Sequence, residues 1–171
     1  MQTFLPYKSF KDSARCLDNK RLGKQRVEAL QLLKTLKQGE WTCMNCHIPV
    51  THFNPYKTGH HCYYCESPLK RTPWYNHPAC KMWKGHERLL AIYAIWCIKE
   101  WTDRGYKDTC EEKINNLAIE FPMETTEHPS WLGNTEFHKS HQSNLLRKNS
   151  EHYEQFFQDV PSDLPYIWPT Q

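Results

Sequence analysis

The stretch from Asn76 to Gly105, NHPACKMWKGHERLLAIYAIWCIKEWTDRG, decides the fold. Its large apolar residues recur at steps of three and four, which is the spacing of one helix face. Pro78 suits the first turn of a helix, and Gly105 suits the position just after the last turn. We therefore predict one long helix that forms the centre of the core. The recurring residues are Met82, Trp83, Leu89, Leu90, Tyr93, Trp96, Cys97 and Trp101.

A second long helix is predicted earlier in the chain, from about Ser9 to Gln38. Its apolar stripe has helical spacing and consists of Val27, Leu30, Leu33 and Leu36. Gly23 interrupts the pattern. Because a glycine inside a helix costs about 1 kcal/mol relative to alanine, we expect a kink there, or the close approach of another backbone. Gly39 ends this helix.

Shorter helices are predicted after Gly105. A weak helical pattern covers residues 110–120. Asn134 or Thr135 suits the N-cap of a third main helix that continues to Lys148. A short aromatic helix follows over residues 151–157.

Four of the eight cysteines form two Cys-x-x-Cys pairs, Cys43-Cys46 and Cys62-Cys65, with fifteen residues between the pairs. Two such knuckles can place four thiolates around one tetrahedral zinc ion, and four thiolates leave no position for water. We therefore predict a structural zinc in an insert at residues 40–68. Substitute ligands remain open, namely His47, His52, His60 and His61. The predicted fold class is mainly α, a compact helical single domain over residues 1–171 with three main helices and this zinc-knuckle insert between the first two.

The other four cysteines are scattered through helical patterns, which indicates reduced and mostly buried thiols of an intracellular protein. They are Cys16, Cys80, Cys97 and Cys110. No run has the length of a membrane span and no leader pattern opens the chain. We expect a cytoplasmic protein without a membrane partner.

Positive charge is concentrated near the start of the chain. Residues 8–38 hold nine Lys or Arg against three Asp or Glu, a local balance of +6. This asymmetry suits a face that binds phosphates, although a solvated helix face has the same composition.

Three stretches resemble the endonuclease V-type pyrimidine-dimer DNA glycosylases, and the likeness covers most of the chain outside the insert. They are residues 17–27, with Leu-Asp-Asn-Lys-Arg-Leu and then Arg-Val; residues 100–109, Glu-Trp-Thr-Asp-Arg-Gly-Tyr-Lys-Asp-Thr; and residues 140–157, a polar helix with an aromatic run. Uncharacterised relatives of that family are closer still. They share the opening Met-Gln-Thr-Phe-Leu-Pro, the run at residues 20–28 and Asn76-His-Pro78.

The resemblance implies a base-excision enzyme, a DNA glycosylase with AP-lyase activity that acts on damaged or modified bases. Its α-amino group attacks the sugar, and a carboxylate assists ring opening and elimination. It further implies that basic residues bind a kinked duplex, so we expect double-stranded DNA as the partner. We also expect a monomer that is located in the nucleoid. The expected nucleic-acid contacts are Lys20, Arg21, Lys24, Gln25, Arg26, Arg147 and Lys148.

The catalytic candidates depart from the family pattern. The family's amine belongs to a threonine exposed after Met removal, whereas this chain begins Met1-Gln2, and a large second residue normally keeps Met1. The family's glutamate directly follows the arginine of the first helix, but here the nearest acids are Asp18 and Glu28. Each has a structural alternative: Glu28 as an ion-pair partner of Lys24, and Asp18 as a helix cap.

His77 is the last catalytic candidate, and its structural alternative is the cap of the long helix. Aromatic residues could stack on extruded bases or lie in the core: Trp131, Tyr153, Phe156 and Phe157. His138 and His141 lie three apart and suit phosphate contact or packing. Two further functions stay open: a non-catalytic DNA-binding module with the same fold, and a lyase or hydrolase of another nucleic acid such as modified phage DNA.

Overall fold

A computed structural model describes residues 2–46, 50, 60–123 and 128–169. Within these residues, seven helices and one two-stranded sheet form a mainly α fold, as predicted from the sequence. The helices are α1 Phe10–Cys16, α2 Asn19–Gln38, α3 Pro78–Trp83, α4 Glu87–Asp103, α5 Glu111–Ala118, α6 Thr135–Lys148 and α7 Ser150–Tyr153. The strands are β1 Trp41–Cys43 and β2 Leu69–Arg71.

The helix predicted for residues 9–38 is two helices. It breaks at Leu17 and Asp18, where both residues adopt extended backbone and Asp18 caps the start of α2 by accepting a hydrogen bond from Arg21 N. Gly23 stays helical. A Cβ at Gly23 would lie 3.0 Å from the ring of Trp101, so the glycine permits the close approach of a side chain.

The helix predicted for residues 78–104 is also interrupted, at Gly85. This glycine has a φ of 81°, a conformation that favours glycine, and it separates α3 from α4. Gly39 and Gly105 end α2 and α4 at positive φ, as expected. Val27, which the predicted stripe included, is 53% exposed. The buried face of α2 includes Leu30 and Leu33 of the predicted stripe and also Leu22 and Ala29.

The core is centred on α4, which packs against α2, α1 and α5. Trp83, Tyr93, Phe137 and Tyr153 are its largest fully buried side chains. The four scattered cysteines are buried and free of disulfides, as predicted. Among the described residues, every helix is too short or too polar to cross a membrane.

The insert lies between α2 and α3, that is, between the first two predicted main helices. In its sheet, β1 and β2 pair antiparallel, with Trp41 opposite Arg71 and Cys43 opposite Leu69. Its small apolar cluster is separate from the helical core and is built on Cys43, Cys62 and Leu69.

Candidate active site and metal centre

The N-terminal segment, residues 2–7, is held by side chains from five helices. Phe4 N–H donates to Gln25 Oε1 over 2.9 Å, and Leu5 N–H donates to His141 Nδ1 over 3.0 Å. The other side chains bonded to the segment are Ser13, Glu28, Trp83, Tyr93, His138 and Gln142. Because its backbone groups are paired almost residue by residue, the helical core fixes the position of this segment.

Two histidines of α6 clamp Leu5, one through each backbone group. His138 Nε2 accepts from Gly133 N, so its Nδ1 carries the proton and donates to the carbonyl of Leu5 over 2.7 Å. His141 accepts from Leu5 N–H. Burial lowers the pKa of both imidazoles, and that of His141 falls to about 3. Both histidines are therefore neutral structural groups, and the packing alternative for them is confirmed.

The N-terminal segment starts beside the carboxylate of Glu28. Gln2 N–H donates to Glu28 Oε2 over 2.9 Å. Both residues line a cleft of about 270 Å³ whose other walls come from α2, α6 and Phe4. The remaining lining residues are Phe4, Lys20, Arg21, Lys24, Gln25 and Lys148. The cleft therefore joins the start of the described chain, one carboxylate and four cationic side chains.

The cations of this cleft fall into two kinds. Lys20, Lys24 and Lys148 are exposed, and no acidic partner for them occurs among the described residues. Arg21 is instead ion-paired with Asp18, and its guanidinium also donates to the carbonyl of Lys148 over 3.0 Å. The three lysines can meet an incoming phosphate directly, whereas Arg21 joins α2 to the end of α6.

Two of the expected nucleic-acid contacts are buried. Arg26 is 8% exposed, forms an ion pair with Asp108 and lies over the ring of Trp101. Gln25 is buried, and its Oε1 accepts from Phe4 N–H and lies 2.7 Å from the hydroxyl of Tyr93. Arg26 therefore joins α2 to the start of α5, and Gln25 positions the N-terminal segment.

Asp18 and His77 both cap helices, as their structural alternatives predicted. Burial opposes ionisation of Asp18, but hydrogen bonds from Arg21 and the Tyr153 hydroxyl outweigh it and lower the pKa of the carboxyl. His77 Nδ1 accepts from Ala79 N over 3.1 Å at the start of α3. Burial lowers the pKa of His77, and the negative charge of Glu28 opposes that shift.

The four paired cysteines converge in the insert. Their Sγ atoms all lie within 4.8 Å of one another. Cys43 and Cys65 are 3.4 Å apart, and Cys46 and Cys62 are 3.6 Å apart. Four sulfurs at 2.3 Å from one tetrahedral ion would be separated by about 3.8 Å, so this cluster could bind a metal ion.

Backbone hydrogen bonds in the knuckles favour thiolates. Hydrogen bonds from Ser67 lower the pKa of Cys65 to about 5, and the Cys46 N–H lowers that of Cys43. Of the substitute ligands, His60 stacks on Trp41 with ring centroids 3.9 Å apart. The backbone of His61 pairs with that of Pro68 in an isolated antiparallel β-bridge. His47 and His52 lie outside the described residues.

Comparison with known protein families identifies the family of the chain. A model described as pyrimidine dimer DNA glycosylase matches residues 1–114, two thirds of the chain, including α1, α2, the insert and α4. The chain belongs to the pyrimidine dimer DNA glycosylase family. Searches among curated proteins and among solved structures find no significant match.

Membership in this glycosylase family makes the chain an enzyme of the DNA glycosylase kind with DNA as its substrate. The cleft at Glu28 lies wholly within the matched residues except for Lys148 of α6. Met1 lies outside the described residues. Arg147 is exposed and donates to the carbonyl of Leu164, so it holds the C-terminal tail.

The sequence analysis missed two aromatic residues of the C-terminal tail, Tyr166 and Trp168, as neighbours of the N-terminal segment. Tyr166 is hydrogen-bonded by the Gln2 side chain and lies 3.2 Å from His141 Nδ1. Trp168 contacts the rings of Tyr166 and His77. The sequence pattern that could have indicated them is the spacing of Tyr166 and Trp168, two residues apart in a proline-rich tail. The rings suggested from sequence for base stacking behave differently: Trp131, Tyr153 and Phe157 are buried, and Phe156 is exposed.

Proposed function

We propose that this protein is a DNA glycosylase with AP-lyase activity whose nucleophile is the α-amine at the start of the chain. The observation that carries the proposal is the 2.9 Å contact between Gln2 N and Glu28 Oε2 at the base of a cationic cleft. An α-amine has a pKa near 8, so a useful fraction is neutral at physiological pH. Cationic neighbours increase that fraction by disfavouring the ammonium form.

The reaction follows from these groups. The neutral amine attacks the sugar carbon C1′, and the glycosidic bond breaks with its electron pair leaving on the base. Ring opening then gives an imine between the amine and C1′. Loss of a proton from C2′ expels the 3′ phosphate and nicks the strand. We assign Glu28 to the proton transfers of ring opening and elimination, because it is the carboxylate in contact with the chain start.

Lys20, Lys24 and Lys148 are the proposed phosphate contacts, because they are exposed and surround Glu28. Arg26 and Gln25 are left out because their polar groups are engaged inside the protein. We propose double-stranded DNA with a damaged or modified base as substrate and a monomer as the active form. Within the cell, the protein would act at the nucleoid.

We further propose that the four-cysteine cluster holds one zinc ion in a structural role. Four thiolates close a tetrahedral shell, so the metal would supply folding energy to the insert and no activated water. Cys43, Cys46, Cys62 and Cys65 would be its ligands. Protein purified without chelator should contain one zinc per chain by elemental analysis, and a metal-free preparation with the insert still ordered would contradict this assignment.

Borohydride trapping tests the catalytic proposal. Reduction of the imine should link the protein covalently to an oligonucleotide that carries an abasic site. Mass spectrometry of the linked peptide would then show whether Met1 or Gln2 carries the sugar. A chain extended by one residue before Met1, with no processing, should bind the same DNA without forming the adduct. Binding without any trapped adduct in the native protein would leave a DNA-binding module as the function.

A further inference from the structure

A tryptophan just after the insert has an unusual backbone conformation. The segment Thr72-Pro73-Trp74-Tyr75 forms a turn closed by Tyr75 N–H and the carbonyl of Thr72, 3.4 Å apart. Trp74 has a φ of 68°. Proline at the second position and positive φ at the third are typical of a type II turn, in which the third position favours glycine or asparagine. A bulky aromatic residue is sterically disfavoured there.

Burial does not account for tryptophan at this position, because its side chain is 54% exposed. The turn is nevertheless fixed at both ends. Thr72 N–H donates to the carbonyl of Glu40 over 2.8 Å, which ties the turn to the insert, and His77 N–H donates to the carbonyl of Trp74 over 2.9 Å at the start of α3. The protein therefore holds an exposed indole rigidly in a strained turn, which is the kind of strain that accumulates at binding sites.

A row of ring contacts runs from the indole to the C-terminal tail. The ring centroid of Trp74 is 5.5 Å from that of His77, which is in turn 5.8 Å from that of Trp168. The tail that carries Trp168 also reaches Gln2 through Tyr166. Trp74 is thus the exposed end of an aromatic row that leads to the proposed catalytic groups.

The chain around Trp74 is strongly basic. Residues 67–86 hold four Lys or Arg and no Asp or Glu. All four are exposed, and they are Lys70, Arg71, Lys81 and Lys84. Arg71 shares its charge with Glu40 at 3.3 Å. An exposed ring among cations is the combination that binds nucleic acid, since bases stack on the ring and phosphates meet the charges.

We propose that Trp74 is a nucleobase-stacking residue, which packs its indole against an unpaired base of DNA bound at the cleft. The inference rests on the proposed function in taking DNA as the ligand, but it assigns a binding contact that takes no part in the bond-breaking steps. An unpaired base is the chemically matched ligand, because its π face is available only when it has left the stack.

The test compares two probes of identical sequence, a single-stranded oligonucleotide and its intact duplex, by fluorescence anisotropy at fixed salt. Trp74→Gly and Trp74→Asn remove the ring while suiting the positive φ, so both variants should fold, which thermal unfolding would verify. They should bind the single strand about 5- to 150-fold more weakly, as expected for one lost stacking contact, and the duplex nearly unchanged. Trp74→Phe should retain most of the single-strand affinity.

The matched control is Tyr106→Ala, which removes another exposed ring, one that is already stacked on Trp101, and should leave the ratio of single-strand to duplex affinity unchanged. If the ratio of single-strand to duplex affinity is the same in wild type, Trp74→Gly and Trp74→Asn, the stacking role is overturned. Borohydride trapping of the wild-type protein tests the glycosylase proposal independently of this comparison. Loss of single-strand affinity in an untrappable protein would support the inference and overturn the catalytic function, whereas an unchanged ratio in a trappable protein would overturn the inference alone.

Discussion

Glu28 is the residue on which the proposed chemistry depends most directly. Its carboxylate contacts the backbone of Gln2 and lines the same cleft as Lys24, which is one helical turn away on α2. The sequence placed Glu28 and Lys24 on one helix face but could not locate the start of the chain beside them, because residues 2–7 are positioned by side chains as distant as Gln142.

Replacement of Glu28 by Gln should reduce strand cleavage by about 10²- to 10⁴-fold, since the amide cannot exchange the proton that ring opening and elimination require. Stability should change by less than about 1 kcal/mol because the group is half-buried at the surface. Single-turnover cleavage of abasic DNA and urea unfolding measure the two effects. Asp18→Asn is the control, since it also removes a carboxylate of α2; full activity of Glu28→Gln would refute the assignment.

His141 gives the protein an acid-sensitive contact. Its folded pKa is about 3, against about 6.5 in an unfolded chain. Below about pH 6.5 the unfolded state therefore binds a proton that the folded state refuses, and the free energy of unfolding falls by about 1.4 kcal/mol per pH unit until about pH 3. Above pH 6.5 this contribution is fully present.

His141→Gln should flatten that dependence, because glutamine can still accept from Leu5 N–H but does not take up a proton. Urea unfolding at pH 7, 5.5 and 4 measures the slope. The exposed His128→Gln serves as control and should keep the wild-type slope. Parallel curves for wild type and His141→Gln would show that other groups dominate the acid response.

At the scale of elements, helical periodicity predicted which parts of the chain are helical but not where they break. Gly85 separates α3 from α4, although the apolar spacing continues across it. Periodicity also could not show which charged residues of α2 are exposed and which are buried. Lys24 is exposed and Arg26 is buried because Arg26 pairs with Asp108, which is 82 residues later. Pairings of that range are invisible to a local pattern.

The cysteine spacing predicted the four-thiol cluster correctly because the cysteines lie in two short knuckles whose geometry is local. The insert has its own small apolar cluster, separate from the helical core. We therefore predict that Cys62→Ser loses the metal and exposes amides of residues 40–46 and 60–71 to hydrogen exchange, while α4 stays protected. Cys97→Ser, in the helical core, is the control and should retain the metal. Equal loss of protection in α4 and the insert would contradict this separation.

At the scale of the whole molecule, the cationic cleft predicts steep salt dependence of DNA binding. Lys20, Lys24 and Lys148 come from two helices that meet at the cleft. Each lysine changed to Ala should make the negative slope of log affinity against log salt shallower by about 0.9 and weaken binding to all sequences alike. Lys113→Ala, an exposed lysine of α5, is the control. A slope unchanged in the triple variant would place the DNA elsewhere on the surface.

The clamp on Leu5 also orders events during synthesis. Leu5 leaves the ribosome about 130 residues before its partners His138 and His141, a delay of roughly 7 to 27 seconds at usual translation rates. Until α6 has emerged, residues 2–7 lack the partners that fix the chain start at Glu28. A nascent or prematurely terminated chain would thus carry α2 with its basic residues but without the assembled catalytic site that we propose. Under the proposed function, the long-range clamp would make strand cleavage conditional on completed translation.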